Sequence, residues 1–135
     1  HGMCRLDPRP GGANSVAPHK RPLNNTAPMI VRLPDRDIGI GLPGGRRIIA
    51  VSAQMAQRFI DFGASPLQAA EAMRLHVVVE EPVEVHPDMD ATLVRGLEEM
   101  GHRLIYNDRI GGMAHIAEWD GAKTRGGGGG WAAGL

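Results

Sequence analysis

The stretch GLPGGRRIIAVSAQMAQRFIDFG, residues 41–63, carries a strong helix signal behind a glycine turn. Apolar side chains recur every three or four residues along it, which is the spacing of one face of an α-helix. Gly63 follows the last of them, and glycine ends many helices because it adopts the left-handed backbone conformation without strain. The stretch therefore predicts a helix over 46–63. The residues at helical spacing are Ile48, Val51, Ser52, Met55, Phe59 and Phe62, and the stripe is widened by Ile49, Ala53, Ala56 and Ile60.

The segments next to this helix also have readable local patterns. The strand-like runs TAPMIVRL and IGIGL flank the turn PDRD, which predicts a hairpin over 26–42. Ser65 and Gln68 have the spacing of a capping box, and Pro66 occupies the first helical position between them. These residues predict a second helix over 65–75.

The remaining elements alternate less regularly. Residues 76–86 resemble one or two strands broken at Pro82, and a third helix is predicted over 88–102 with Asp88 as its cap. Two further strands, joined by RIGG as a second hairpin, are predicted over 102–108 and 113–119. Because the strands pair mostly with sequence neighbours and the helices are grouped, the pattern favours an α+β layered fold.

The chain of 135 residues is long enough for one modest domain. Residues 1–25 are rich in Pro, Gly and Asn and are predicted to form an extended, irregular lead-in. The folded part is predicted to occupy residues 26–125, followed by a glycine-rich tail at 126–135. The closing TRGGGGGWAAGL is too rich in glycine to predict a regular element of its own.

Composition excludes several classes of function. Lys plus Arg and Asp plus Glu number 15 each, so the basic surface typical of a nucleic-acid-binding protein is not expected. No apolar run approaches the length of a membrane span. The single cysteine, Cys4, excludes an internal disulfide framework.

The run GIGLPG, residues 39–44, has the G-x-G-x-x-G spacing of a dinucleotide-binding turn. A nucleotide-binding domain is nevertheless disfavoured, because the strand before it belongs to a hairpin and the helix after it leads to another helix. Gly44 and Gly45 still lie just before a helix, where backbone N–H groups lack partners and suit an anion or a developing oxyanion. The alternative is that both glycines only permit a tight turn.

Asn24 and Asn25 sit between two prolines and allow two interpretations. Asparagine is common in turns because its side chain bonds to nearby backbone, and proline fixes such a turn. Two side-chain amides could instead form the polar lip of a ligand pocket. The residues alone leave both interpretations open.

No metal site or activated nucleophile is predicted. HPDMD groups His86, Asp88 and Asp90, but a strand end followed by a helix cap and a first-turn acid explains it more simply. Ser65 is expected to cap a helix and Ser52 to lie within one, so neither has the setting of a catalytic serine.

The order of motifs resembles that of the γ-glutamyltransferase family (γ-glutamyltranspeptidase, glutathione hydrolase). The segments that carry the resemblance are DPRPGGANSVAPHKRPLNNTAP, GLPGGRRI and DFGASPLQAAEAMRLH. Farther along, LEEMGHRLIYNDRIGGMAHI and DGAKTRGGGG are similar to the end of the family's small subunit. The resemblance extends from about Asp7 to the glycine tail, and it implies the C-terminal part of a small subunit.

The resemblance implies an N-terminal-nucleophile hydrolase with a four-layer αββα fold and no cofactor. A precursor would cleave itself into large and small subunits, and the new N-terminal Thr would attack a γ-glutamyl amide such as glutathione. Water or an amino acid would then accept the γ-glutamyl group. The nucleophile would lie upstream of this chain, which alone would be inactive. Relatives are often periplasmic or secreted, and a cytoplasmic location stays open.

Individual residues carry over from the family pattern. Asn24 and Asn25 hold the places of two small polar residues that bind the donor's α-carboxylate, and amides can donate hydrogen bonds to it as hydroxyls do. Gly44 and Gly45 match the Gly-Gly pair whose N–H groups form the oxyanion hole. Thr26 follows the binding pair and is not an N-terminus, so it is not taken as the nucleophile.

Three departures affect the expected specificity. His19 replaces a glycine, Leu42 a frequent serine, and Thr26 a common methionine. A related acylase that acts on another amide therefore remains an alternative, as does a non-catalytic module that binds carboxylates.

Overall fold

The computed structural model describes residues 2–77, 79–110 and 112–129. These residues form three α-helices and seven strands, and the strands make up two sheets. The predicted α+β class is therefore confirmed. A short 3₁₀ helix, Gly2–Arg5, precedes these elements. In chain order, the strands and α-helices are β1 (Met29–Arg32), β2 (Asp37–Gly41), α1 (Arg47–Phe62), α2 (Pro66–Glu71), β3 (Leu75–His76), β4 (Val83–Val85), α3 (Ala91–Glu99), β5 (Leu104–Tyr106), β6 (Ala114–Trp119) and β7 (Thr124–Gly129).

The larger sheet is antiparallel, with the strand order β1-β2-β6-β7. Side chains alternate along β2 and β6, so one face is mostly apolar, with Glu118 as a buried acid, and packs against α1 and α2. The other face carries exposed side chains such as Ile30 and Trp119. The core between this sheet and the helices includes Ile38, Ile40, Val51, Met55, Phe59, Ala69, Ala70, Ala114 and Ile116.

The glycine-rich segment forms a strand, which corrects the prediction that it holds no regular element. Residues 124–129 pair with β6 over six residues, and the predicted start of the tail at 126 falls inside β7. A Cβ on Gly127 would overlap the carbonyl carbon of Pro66 and lie 2.6 Å from Leu67 N. Glycine is therefore needed there because the start of α2 rests on the strand. Residues 130–135 lie outside the described residues.

The smaller sheet has the order β3-β4-β5, with β3 antiparallel and β5 parallel to β4. The predicted second hairpin is therefore wrong, because β5 pairs with β4 whereas β6 pairs with β2. Ala114 and Ile116 explain the separation, since they belong to the core of the larger sheet while β5 has no buried side chain.

The first hairpin and the first two helices follow the predictions closely. Met29 pairs with Ile40 in the hairpin, and Gly63 ends α1 with φ 61°. Ser65 and its capping box begin α2 as expected. This helix ends at Glu71 rather than 75, because the Gln54 side chain bonds the backbone N–H and carbonyl of Leu75 and draws it into β3.

The cap of α3 is Asp90 rather than the predicted Asp88. Asp90 Oδ1 accepts hydrogen bonds from the N–H groups of Thr92 at 2.8 Å and Leu93 at 3.3 Å. Asp88 lies before the helix with an exposed side chain. The helix starts later than predicted because residues 86–89 form a turn closed by the bond from Met89 N to the His86 carbonyl.

The lead-in is folded back on itself in its first part, which corrects the prediction of an extended segment. Asp7 and Ser15 form a parallel bridge. The buried Ser15 hydroxyl donates to the Arg9 carbonyl at 2.5 Å and accepts from Gly12 N at 2.7 Å. From residue 16 to 28 the chain has no regular element.

Candidate functional site

Gly44 and Gly45 form the turn that links β2 to α1. Gly45 has φ +59°, in the left-handed region, and a Cβ there would meet nothing within 4 Å. Its backbone conformation rather than lack of space therefore requires glycine. Both carbonyls accept bonds from the start of α1, at 3.1 Å from Arg47 N and 3.3 Å from Ile48 N. Neither glycine N–H donates to a partner in the described part of the chain.

A partly buried ion pair anchors the helix that follows this turn. Arg47, the first residue of α1, places Nη2 at 2.7 and 3.0 Å from the two carboxylate oxygens of Glu84 on β4. Asn107 Nδ2 donates to the same carboxylate at 3.0 Å. Burial alone would raise the pKa of Glu84, but the hydrogen bonds from Arg47 and Asn107 outweigh it and hold that pKa below its ordinary value.

His76 lies beside this ion pair, opposite Glu84 in the β3–β4 register. Its side chain is buried. Burial, helped by the positive charge of Arg47 and opposed by Glu84, lowers the pKa of His76. The imidazole is therefore neutral at neutral pH, which avoids a second cation next to Arg47.

Asn24 is folded into a local turn. Its Oδ1 accepts hydrogen bonds from Thr26 N at 3.1 Å and from Thr26 Oγ1 at 2.8 Å. The amide oxygen is thereby used, whereas the side-chain NH₂, which is the group that donates to a carboxylate, forms no bond with the described residues. Asn24 is exposed and Asn25 half-buried. Asn24 thus forms a turn, as the first interpretation predicts. Its unbonded NH₂ group is also compatible with the second interpretation, in which the asparagines line a ligand pocket.

The hairpin brings the two predicted site segments to the same end of the sheet. Met29 begins β1 opposite Ile40, near the end of β2. The segment with Asn24 and Asn25 therefore leads into β1 at the end of the sheet where β2 ends and the Gly44–Gly45 turn begins. A groove of about 370 Å³ on the uncovered sheet face starts at this end; it is lined by Pro28, Met29, Ile30, Gly39, Ile40, Gly41, His115, Ile116 and Ala117.

The sequence alone did not reveal Arg47, Glu84 and Asn107 as a group. The available signal was Glu84, a charged residue between Val83 and Val85, which are both buried. Because 37 residues separate Arg47 from Glu84, no local pattern pairs them.

Nothing in residues 2–77, 79–110 and 112–129 groups three or more His, Cys, Asp or Glu side chains as a metal site would. In HPDMD, Asp90 serves as the helix cap and His86 Nδ1 accepts from Asp88 N at 3.1 Å. Among the described helices, none has the length and apolar character to cross a membrane.

Comparison with known proteins identifies relatives over nearly the whole chain. The family model described as Gamma-glutamyltranspeptidase matches residues 3–134. Acylase ACY 1 proenzyme from Pseudomonas sp. (strain SE83) is 36% identical over 118 residues, which are 85% of this chain and 21% of the relative. Glutathione hydrolase proenzyme from Bacillus subtilis subsp. natto is 33% identical over 102 residues, 75% of this chain and 17% of the relative. The chain therefore spans about a fifth of these curated relatives.

A solved structure has the same arrangement of elements. The γ-glutamyltranspeptidase from Pseudomonas nitroreducens, complexed with L-DON, matches with a TM-score of 0.76 at 22% identity. The match covers 99% of this chain and 78% of that chain. It confirms that this chain has the fold predicted from the resemblance to the family. A shared fold by itself leaves the reaction to be argued from the site.

Proposed function

Because this chain belongs to the γ-glutamyltranspeptidase family, we propose that it forms part of the active site of an enzyme that cleaves γ-glutamyl amides. The Gly44–Gly45 turn carries the proposal. Its two carbonyls accept hydrogen bonds from the first N–H groups of α1, while its own two N–H groups have no partners among the described residues. Such N–H groups stabilise the negative oxygen of a tetrahedral intermediate.

The nucleophile in this proposal is a Thr upstream of residue 1. Its Oγ attacks the γ-carbonyl carbon of the donor, and the carbonyl oxygen becomes an oxyanion that accepts hydrogen bonds from Gly44 N and Gly45 N. The C–N bond then breaks, the amine leaves with a proton, and a Thr ester remains. Water, or the amine of an acceptor amino acid, displaces the Thr and releases the γ-glutamyl group.

Asn24 and Asn25 bind the donor's α-carboxylate in this proposal. The Asn24 side-chain NH₂ supports the role, because the Thr26 contacts occupy only its oxygen. Thr26 itself donates its hydroxyl to that oxygen, which is not a general base, so Thr26 has no activated hydroxyl for nucleophilic attack.

The partner is a larger subunit cut from the same precursor. Both curated relatives are named as proenzymes. The sheet face that carries Ile30 and Trp119 supports this assembly, because these side chains are 71% and 53% exposed. In the four-layer fold, a second sheet covers that face. The chain alone would then lack catalytic activity, because it has neither the nucleophile nor the covering layers.

A second candidate is an acylase that acts on another amide. The observation in its favour is the 36% identical relative named as an acylase proenzyme. Asn24 and Asn25 support it as well, since amides are bulkier than the small polar residues expected at a γ-glutamyl donor site.

A donor panel with the natural full-length protein separates these functions. We expect release of p-nitroaniline from γ-glutamyl-p-nitroanilide, faster with an added dipeptide acceptor. Cleavage of an N-acyl β-lactam without cleavage of the γ-glutamyl donor would establish the acylase instead. A protein that cleaves neither substrate but binds glutamate would be a carboxylate-binding module.

A further inference from the structure

Arg74 is a buried arginine without a carboxylate partner in the described part of the chain. Its residue surface is only 9% exposed. Nη1 donates to the Gly112 carbonyl at 3.0 Å, and Nη2 donates to the Ala70 carbonyl at 2.5 Å. Burial lowers the pKa of Arg74, with no opposing effect from a nearby acid. Because a buried charge is costly without compensation, these two carbonyl contacts are its stabilising interactions.

Gly112, which Arg74 contacts, lies next to the glycine turn. A Cβ on Gly112 would overlap the Pro43 carbonyl oxygen and lie 2.7 Å from the Pro43 carbonyl carbon. A Cβ on Gly44 would lie 3.4 Å from Gly112 N. Gly112 is therefore pressed against the peptide that joins Pro43 to Gly44, and only glycine fits at this position.

The Pro43 carbonyl and the Gly44 N–H belong to one peptide unit. That unit is planar, so the direction of its carbonyl fixes the direction of its N–H. Arg74 donates to the Gly112 carbonyl, and Gly112 lies close against this peptide. The result is a chain of contacts from a buried guanidinium to one of the two N–H groups assigned to the oxyanion.

We infer that Arg74 is a positioning residue that fixes the Gly44 N–H for the oxyanion. This inference rests on the proposed function of the turn. Because Arg74 is buried and bonds only the Gly112 and Ala70 carbonyls among the described residues, we expect its effect on the tetrahedral intermediate rather than on donor binding. A change at Arg74 then lowers kcat and leaves KM nearly unchanged, since the oxyanion exists only beyond the ground state.

Arg74→Met and Arg74→Lys test the inference in the natural full-length enzyme, with γ-glutamyl-p-nitroanilide as donor. We expect kcat per folded enzyme to fall by about tenfold or more in Arg74→Met, with KM within about twofold of wild type. Arg74→Lys should recover part of the rate, because an ammonium can reach one carbonyl but lacks the fork that reaches both. If Arg74→Met does not fold, Arg74→Lys decides the question.

Arg58 provides a matched control on α1. Its Nη2 donates to the Met73 carbonyl at 3.3 Å, which is also a contact of a guanidinium with a backbone carbonyl but an exposed one. Arg58→Met and Arg58→Lys should keep kcat within about twofold of wild type. A tetrahedral γ-phosphonate analogue of glutamate adds a second readout. Its affinity should fall with kcat in the Arg74 variants, whereas inhibition by glutamate should be unchanged.

Two results would overturn the inference. One is an Arg74→Lys enzyme with wild-type kcat and wild-type affinity for the phosphonate. The other is equal loss of affinity for glutamate and for the phosphonate, which would indicate general distortion. In both cases an active wild-type enzyme leaves the proposed function standing. A wild-type enzyme that cleaves no γ-glutamyl amide would instead refute both proposals.

Discussion

The glycine turn and the asparagine pair lie at the same end of one sheet, but they are held in different ways. Gly44 and Gly45 sit between a central strand and a helix; the Arg47–Glu84 ion pair anchors that helix, and Gly112 contacts the turn. Asn24 and Asn25 lie in a segment without regular elements, and Asn24 bonds only to Thr26 among the described residues.

The difference matches the two proposed tasks. Oxyanion donors must be fixed in advance, since their contribution depends on a geometry that does not reorganise during the reaction. A lip that binds a ground-state carboxylate tolerates a less rigid support, and other subunits can complete it. The two regions should therefore respond differently to mutation, the turn in kcat and the pair in KM.

The largest effect is expected from Gly45→Val. A β-branched residue is strained at φ +59°, so the turn should change shape and the oxyanion donors should move. We expect kcat of the full-length enzyme to fall by roughly 10²- to 10³-fold with KM nearly constant, as for loss of an oxyanion donor. Steady-state kinetics with γ-glutamyl-p-nitroanilide measures both.

Gly45→Asn is the matched variant for this change. Asparagine visits the left-handed region more readily than other side chains, so it should retain more turnover than valine. Equal losses in the two variants would show that backbone conformation is not what Gly45 provides.

The second effect concerns the asparagine pair. Asn24→Ala with Asn25→Ala should raise KM for the donor by about tenfold or more, because each hydrogen bond to a charged group contributes about 1.5–3 kcal/mol. The kcat value should change little. Asn14→Ala is the control, since its amide donates to the Arg5 carbonyl away from the turn. If the double variant keeps the wild-type KM, the asparagines do not bind the donor and serve only to form a turn.

The third effect tests the ion pair behind the turn. Glu84→Gln leaves Arg47 without its carboxylate, so the free energy of unfolding at pH 7 should fall by about 1–3 kcal/mol. The folded pKa of Glu84 is lowered, so its stabilising contribution is full above the ordinary carboxyl pKa of 4.5 and is lost as pH falls through the folded value.

The stability difference between wild type and Glu84→Gln should therefore shrink below about pH 4.5. Melting temperatures of the purified proteins between pH 7 and pH 3 measure it. As a control, Glu99→Gln on the exposed end of α3 should leave the melting temperature at pH 7 nearly unchanged. A difference in melting temperature between wild type and Glu84→Gln that stays constant from pH 7 to pH 3 would argue against a charged Glu84 in the folded protein.

The smallest effect concerns the segment before the asparagines. His19 has φ 62°, a left-handed conformation that suits the glycine expected there from the family pattern. His19→Gly should raise the free energy of unfolding by about 1 kcal/mol without changing KM. Ala17→Gly, at an ordinary φ, should lower stability slightly. A destabilised His19→Gly would mean that the imidazole makes contacts that outweigh the strain.

Local patterns predicted the elements that local residues determine. The Ser65 capping box, the Gly63 stop and the first hairpin are present as expected. Long-range contacts decided the rest. Gln54 ends α2 by binding Leu75, and β6 gives the glycine run Thr124–Gly129 a partner that its own composition did not predict.

The site could be predicted in part for the same reason. Gly44 and Gly45 are recognisable from a glycine pair before a helix, and the structure leaves their N–H groups unpaired within the described residues. The supports of the turn, Glu84 and Arg74, come from distant segments and follow no spacing rule. Their identification required the folded chain.

The central claim is that this turn acts together with a Thr nucleophile supplied from upstream and a larger partner chain. Intact mass and N-terminal sequencing of the protein from its natural source test it most directly. We predict a mature chain that begins with Thr upstream of residue 1 and copurifies with a larger chain. A mature chain that begins at or near His1 and has no partner would contradict the claim.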